Sequence, residues 1–176
     1  YLYPDVEGEA FAGDTLTGPD GAYVLADSGG YGASQYRFYV AAPGYVPRYL
    51  ECPWNGVDPV SLSLALAPVQ TVAAGTVTDA DSGLPVAGAR VYVSRNIYEF
   101  EYVNIGDDVT AADGTYTIED PFGYGAGLVE FAVYAEGYVF QTWETSWDGV
   151  TPLEIDVQLV PPRTLATGTV TAAGSP

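Results

Sequence analysis

The chain of 176 residues carries 23 acidic side chains against five basic ones, all Arg, and has no His, for a net charge of −18. Such a surface repels nucleic acid and anionic lipid, attracts cations and makes any assembly salt-dependent. The missing His and Lys exclude a Ser-His-Asp arrangement, an imidazole-held metal and a Schiff base. A hydrophobic content of 48% with 15 Tyr and 21 Gly predicts a folded, β-biased chain, and no apolar run approaches the ~18 residues of a membrane-spanning helix.

In chain order, Asp20-Gly21 is a tight-turn dipeptide ahead of a short strand with Tyr23 and Leu25 on one face. Tyr36, Phe38 and Val40 alternate as a second strand, and Leu62, Leu64 and Leu66 against Ser61, Ser63 and Ala65 as a third. Gln70 to Asp79 reads as a strand that turns through Asp79 to Pro85 and returns as Ala89 to Ser94, a predicted hairpin. Arg95 to Val109, acidic, aromatic and aperiodic, reads as a long loop with at most a short edge strand. Asp113-Gly114 leads into Thr115 to Glu119, with Tyr116 and Ile118 sharing a face. Past the Gly-rich turn Gly123 to Gly127, Val129, Phe131 and Val133 alternate with polar or small residues, and Gly137-Tyr138 opens a further strand. Ile155, Val157 and Leu159 point one way from the closing strand while Glu154, Asp156 and Gln158 point the other.

The end of the chain, Thr164 to Pro176, repeats Thr71 to Gly83 after 164 − 71 = 93 residues. At that offset, Asp20-Gly21-Ala22-Tyr23 meets Asp113-Gly114-Thr115-Tyr116, Gly30-Tyr31-Gly32-Ala33 meets Gly123-Tyr124-Gly125-Ala126, and Trp54 meets Trp147. An internal repeat of this kind governs the fold. Tyr1 falls opposite Ser94, so the division is a first β-sandwich copy over 1–69 without its opening strand, a complete copy over 70–163, and the start of another over 164–176. With about seven short strands per copy and no helical periodicity, the expected class is all-β, a tandem of β-sandwiches.

The motifs Gly75-Thr76-Val77-Thr78-Asp79, Gly83-Leu84-Pro85-Val86-Ala87-Gly88-Ala89, Asp113-Gly114-Thr115-Tyr116 and Gly137-Tyr138, with the closing Leu153 to Leu159, resemble the carboxypeptidase regulatory-like domains. The resemblance implies a seven-stranded, transthyretin-like (Ig-like) sandwich and a structural or binding module of secreted and surface proteins, with no catalytic residue. The aromatic stretch Asn96 to Gly106 departs from that family's short connection.

Candidate chemistry is sparse. Glu99 with Glu101, and Asp107 with Asp108, are carboxylate pairs, but adjacency in a loop sets no separation of the kind glycoside hydrolysis needs. The expectation is therefore no enzyme and no cofactor. Asp79 and Asp81 are spaced as in oxygen-ligand loops, so Ca²⁺ competes there with a plain turn whose Asp side chains bond their own backbone. Trp54, Tyr98, Phe100, Tyr102, Trp143 and Trp147 either stack sugar rings or pack loops and interfaces between copies. Cys52 is the single cysteine, either buried and inert or paired between chains. No N-x-Ser/Thr sequon is present, which disfavours N-linked glycans and leaves O-linked sugars open.

A sandwich without its first strand exposes edges that template pairing with another chain. By sequence, the strand it lacks is carried by Thr164, Leu165, Ala166, Gly168, Thr169, Val170 and Thr171. Strand addition of this head-to-tail kind does not close on itself and builds a filament. The expected function is a structural subunit of an extracellular filament or stalk whose partners are copies of itself, linked by strand exchange between chains or as one continuous array. The alternative is a carbohydrate-binding or adhesive cell-surface module.

Overall fold

The computed structural model describes residues 2–4, 11–98 and 101–169. Its strands are β1 (Leu2–Pro4), β2 (Ser34–Val40), β3 (Arg48–Trp54), β4 (Gln70–Asp79), β5 (Arg90–Tyr98), β6 (Glu101–Val109), β7 (Thr115–Asp120), β8 (Gly127–Tyr134), β9 (Gln141–Trp147), β10 (Leu153–Glu154) and β11 (Val157–Leu159). The fold is all-β, with no helix among the described residues. The chain divides into two compact units, one of Tyr1–Val69 with Pro121–Gly123, the other of Gln70–Asp120 with Tyr124–Pro176.

The second unit has two four-stranded sheets, one ordered β6-β5-β8-β9 and one in which β4 runs between β7 on one edge and β10 and β11 on the other. Both sheets feed one core, as in a β-sandwich. Val72, Ala73, Val77, Tyr116, Ile118, Val157 and Leu159 come from the β4 sheet, and Val91, Val93, Ile105, Val129, Phe131, Val133 and Trp147 from the β6-β5-β8-β9 sheet. The alternation predicted for Thr115 to Glu119 and Leu128 to Ala135 is met, since Tyr116, Ile118, Val129, Phe131 and Val133 are all buried. Trp143 lies against Phe131, rings nearly parallel with centroids 5.4 Å apart.

Four expectations are corrected. Strands β4 and β5 do not form a hairpin. The turn makes only a bridge between Thr78 and Pro85 before Gly88 bonds Thr110 and the chain crosses to the opposite sheet. Thr110, buried, secures that crossing by accepting from the Ala89 amide and donating to the Val86 carbonyl. Arg95 to Val109 is no loop, because β5 continues to Tyr98 and pairs antiparallel with all of β6, with irregularities between Val93 and Ser94 and between Asn96 and Tyr98. Gly137-Tyr138 is a turn, and the strand that follows starts at Gln141. The closing strand is interrupted at Ile155 and Asp156, so β10 and β11 pair with β4 in two separate pieces, both parallel.

The first unit has one three-stranded sheet, β1-β2-β3. Its small core of Ala12 and Tyr36 is flanked by Leu25, Phe38 and Trp54. Strands β2 and β3 are the counterparts of β8 and β9. Cys52 is half-buried in β3, as a free thiol among the described residues. The strands expected at Tyr23 to Leu25 and Leu62 to Leu66 are not formed: Leu62 to Leu66 keeps its alternation of half-buried and exposed side chains, Tyr23 and Val24 are exposed beside half-buried Leu25, and neither segment is hydrogen-bonded as a strand among the described residues.

Candidate strand-docking site

The reason those two segments are not strands is visible in the complete unit. There, β7 and the pair β10 and β11 have β4 between them, bonded to both. Small residues make that position narrow. Gly75 sits opposite Tyr116 in the β4–β7 register, and a Cβ on Gly75 would overlap the carbonyl oxygen of Ile155. Tyr116 reaches across the strand and its hydroxyl donates to that same carbonyl at 2.7 Å. Burial, together with the carboxylates of Asp156 and Glu154, pushes the Tyr116 hydroxyl far above the usual phenol range. Beside it Asp156 Oδ1 accepts from both the hydroxyl and the amide of Thr76, at 2.7 and 2.9 Å, and these bonds hold the carboxyl below its ordinary range.

Subtracting 93 places the counterparts of β7 at residues 22–27 and those of β10 and β11 at 60–66. The crossing bond is present here too: the Tyr23 hydroxyl donates to the Leu62 carbonyl at 3.0 Å. Between the two segments, however, no strand is hydrogen-bonded among the described residues. Exposure registers the difference. Tyr23 is 36% exposed where Tyr116 is 3%, and Leu25, Leu64 and Leu66 are half-buried where Ile118, Val157 and Leu159 are 0%, 4% and 0% exposed. A further sign is Gly21, which has open space around it, while its counterpart Gly114 packs against Val77 of β4 and accepts that residue's amide. Among the described residues the first unit thus presents an apolar groove, flanked by two segments that pair with no strand and spanned by a tyrosine.

Of the residues assigned to the polymerisation strand, Thr164, Leu165, Ala166, Gly168 and Thr169 are exposed and belong to no strand, and Leu165 is 100% exposed. Val170 and Thr171 lie outside the described residues.

The aromatic candidates are dispersed. Trp147 is 2% exposed in the core and its indole donates to the Thr151 carbonyl at 3.0 Å, which corrects its assignment as a ligand or interface aromatic. Trp143 is half-buried on Phe131. Trp54 is half-buried too, edge-on to Tyr36, with its indole donating to Asp58. Tyr102 is 54% exposed on β6 and Tyr98 lies in β5, while Phe100 lies outside the described residues.

At the Ca²⁺ candidate, Asp79 Oδ1 accepts from the amides of Asp81 and Ser82 and from the Ser82 hydroxyl, and Oδ2 from the Tyr138 hydroxyl. Those bonds, that of the Ser82 hydroxyl foremost, lower the carboxyl's pKa, so the geometry is that of a turn cap. Asp108 likewise serves the backbone, accepting from the amides of Val109 and Thr117. No cluster of three or more Cys, Asp or Glu side chains suited to a metal occurs among the described residues.

Two structural pairs escaped sequence reasoning. Asp120, 1% exposed, accepts from the Gly125 amide at 2.9 Å, and Asp27 accepts from Gly32 at 2.8 Å. Their shared place at the repeat offset, just ahead of the Gly-rich turn, was the available signal. The tyrosine bridges had only the recurrence of Asp-Gly-x-Tyr to announce them.

No family model matches the chain, and no curated protein matches it. Among solved structures it is similar to a streptococcal ancillary pilin, at 16% identity and a TM-score of 0.40 over 93% of this chain and 56% of that one. It is also similar to an (S)-allantoin synthase, at 14% identity and a TM-score of 0.35 over 54% of this chain and 44% of that one. A 9R-lipoxygenase from Cyanothece PCC8801 shares 18% identity at a TM-score of 0.37, over 59% of this chain and 18% of that chain. The chain spans between 18% and 56% of the length of these proteins.

Proposed function

We propose that this protein is a non-catalytic structural subunit of an extracellular filament or stalk, a linear stack of transthyretin-like sandwiches of the carboxypeptidase regulatory-like kind. In it, the groove of a unit like the first is filled by a strand of the Thr164 to Thr171 type belonging to the next copy. The observation that carries this reading is the contrast between paired positions: what β4 buries in the second unit stays half-exposed in the first, with the Tyr23 bridge already made. An apolar stripe beside unpaired backbone is completed most economically by a strand, which satisfies both at once. The joint is the same whether the strand comes from a separate subunit or from the adjoining repeat of a longer polypeptide. A head-to-tail joint of this kind propagates into a fibre.

Electron micrographs of the purified protein, combined with intact mass in denaturant, test the proposal. Filaments that dissolve into chains near 18.6 kDa support exchange between subunits, and filaments of much larger covalent mass support a continuous array. Dispersed monomers contradict both.

A further inference from the structure

Resting on that strand-completed joint, we infer that Gly168 is its specificity-determining residue and that it sets the register, passing beneath the Tyr23 bridge in a second copy. The incoming strand runs antiparallel to 22–25 and parallel to 60–66.

Two glycines at one repeat position carry the argument. Gly75 is a glycine for a packing reason, because any side chain would strike the Ile155 carbonyl below the Tyr116 bridge. Gly168 stands at the same position in the exposed segment, where no heavy atom comes within 4 Å. Neither adopts a positive φ, so backbone conformation does not call for glycine at 168 either. The free chain gives this glycine no task, and the narrow groove under Tyr23 gives it one.

Register follows by transfer. In the complete unit Ala73, Ala74, Gly75 and Thr76 face Ile118, Thr117, Tyr116 and Thr115, and Ala73 and Ala74 lie beside Leu153 and Glu154. The joint then sets Ala166, Thr167, Gly168 and Thr169 against Leu25, Val24, Tyr23 and Ala22, with Ala166 and Thr167 beside Val60 and Ser61. Leu165 takes the place of Val72, which is fully buried. A slip of one residue brings a threonine under the bridge and turns every side chain to the wrong face. A slip of two brings Ala166 or Val170 there, each with a Cβ the site does not admit. One difference lowers the hold: Asp156, which grips Thr76, is replaced by Ser63, so Thr169 loses a charge-assisted partner.

The test is a fluorescence-anisotropy titration of the intact chain with a labelled peptide of sequence 164–176. Gly168→Val in the peptide is expected to weaken binding by at least about tenfold, and Thr167→Val, at a position facing away from the core, by no more than about twofold. In a Cys52→Thr background, chain Val24→Cys is expected to form a disulfide with a Thr167→Cys peptide and not with a Thr169→Cys peptide. Equal binding of the Gly168→Val peptide, no binding of any peptide, or crosslinking at residue 169 instead overturns the register. The filament reading fails separately: wild-type chains that form no filaments sink it, whereas filaments built equally well by Gly168→Val chains sink only this inference.

Discussion

The Tyr23 hydroxyl donates to the Leu62 carbonyl at 3.0 Å, the bond that Tyr116 makes to Ile155 at 2.7 Å in the complete unit. The two segments that would form the walls of the proposed groove are thus already tied together. Holding a site open in its bound geometry lowers the ordering cost of docking.

The two tyrosines should therefore respond differently to removal of the hydroxyl. Tyr116→Phe removes the partner of a part-buried carbonyl and should destabilise the second unit by roughly 1–2 kcal/mol. Tyr23→Phe, at a site water still reaches, should change the stability of the free chain by less than about 1 kcal/mol while weakening assembly. Urea titration of the isolated chains and sedimentation of assembled material measure the two effects.

Leu165 offers a clean separation of folding from assembly. Its side chain is 100% exposed, so Leu165→Asp should leave the melting curve of the free chain unchanged. Burial of a leucine in the joint contributes about 2 kcal/mol, and a carboxylate there reverses the sign. Filament yield by pelleting should fall at least tenfold, about 1.4 kcal/mol.

The core of the second unit turns on Phe131, fully buried and stacked on Trp143. Phe131→Ala should cost about 3–5 kcal/mol and shift the near-ultraviolet signal of Trp143. Thermal unfolding followed by near-ultraviolet circular dichroism measures both.

Acid should loosen the turns. Asp79, Asp113, Asp148 and Asp156 all have pKa values lowered in the fold, chiefly by hydrogen bonds from the Ser82 hydroxyl, the Thr115 hydroxyl, the Thr151 amide and the Thr76 hydroxyl. A carboxyl whose folded pKa is depressed adds stability that is fully present above its unfolded value, about 3.9, and is lost as pH falls through the folded value. The gap in melting temperature between wild type and Asp79→Asn should be largest at neutral pH and should close below about pH 4. A gap that is constant across the titration contradicts this assignment.

Much of the architecture was legible because side-chain alternation reports which face of a strand is buried. Tyr116, Ile118, Val129, Phe131 and Val133 were readable on that ground alone. Alternation is silent on which strand pairs with which. The turn residues after Asp79 look like a hairpin, yet they carry the chain from one sheet to the other, and the central place of β4 depends on Ala73, Ala74 and Gly75 being small enough to fit between two partners. The β5–β6 extension was missed for a different reason. Ser94, Arg95 and Asn96, which face Asn104, Val103 and Tyr102, are half-buried or exposed, so no apolar face marked the strands. Of the candidate docking site, the recurrence of Thr71 to Gly83 at Thr164 to Pro176 was readable, while the tyrosine bridge from Tyr23 to Leu62 was not, since a side chain reaching past a neighbouring strand leaves no periodic trace.

Backbone amide exchange of residues 165–169, compared between the free chain and assembled filaments, tests the central claim most directly. Leu165 to Thr169 should exchange at near-unprotected rates in the free chain and become protected on assembly, together with residues 60–66 of the groove wall. Filaments in which both stretches exchange as fast as in the free chain would mean that the copies are joined through some other surface.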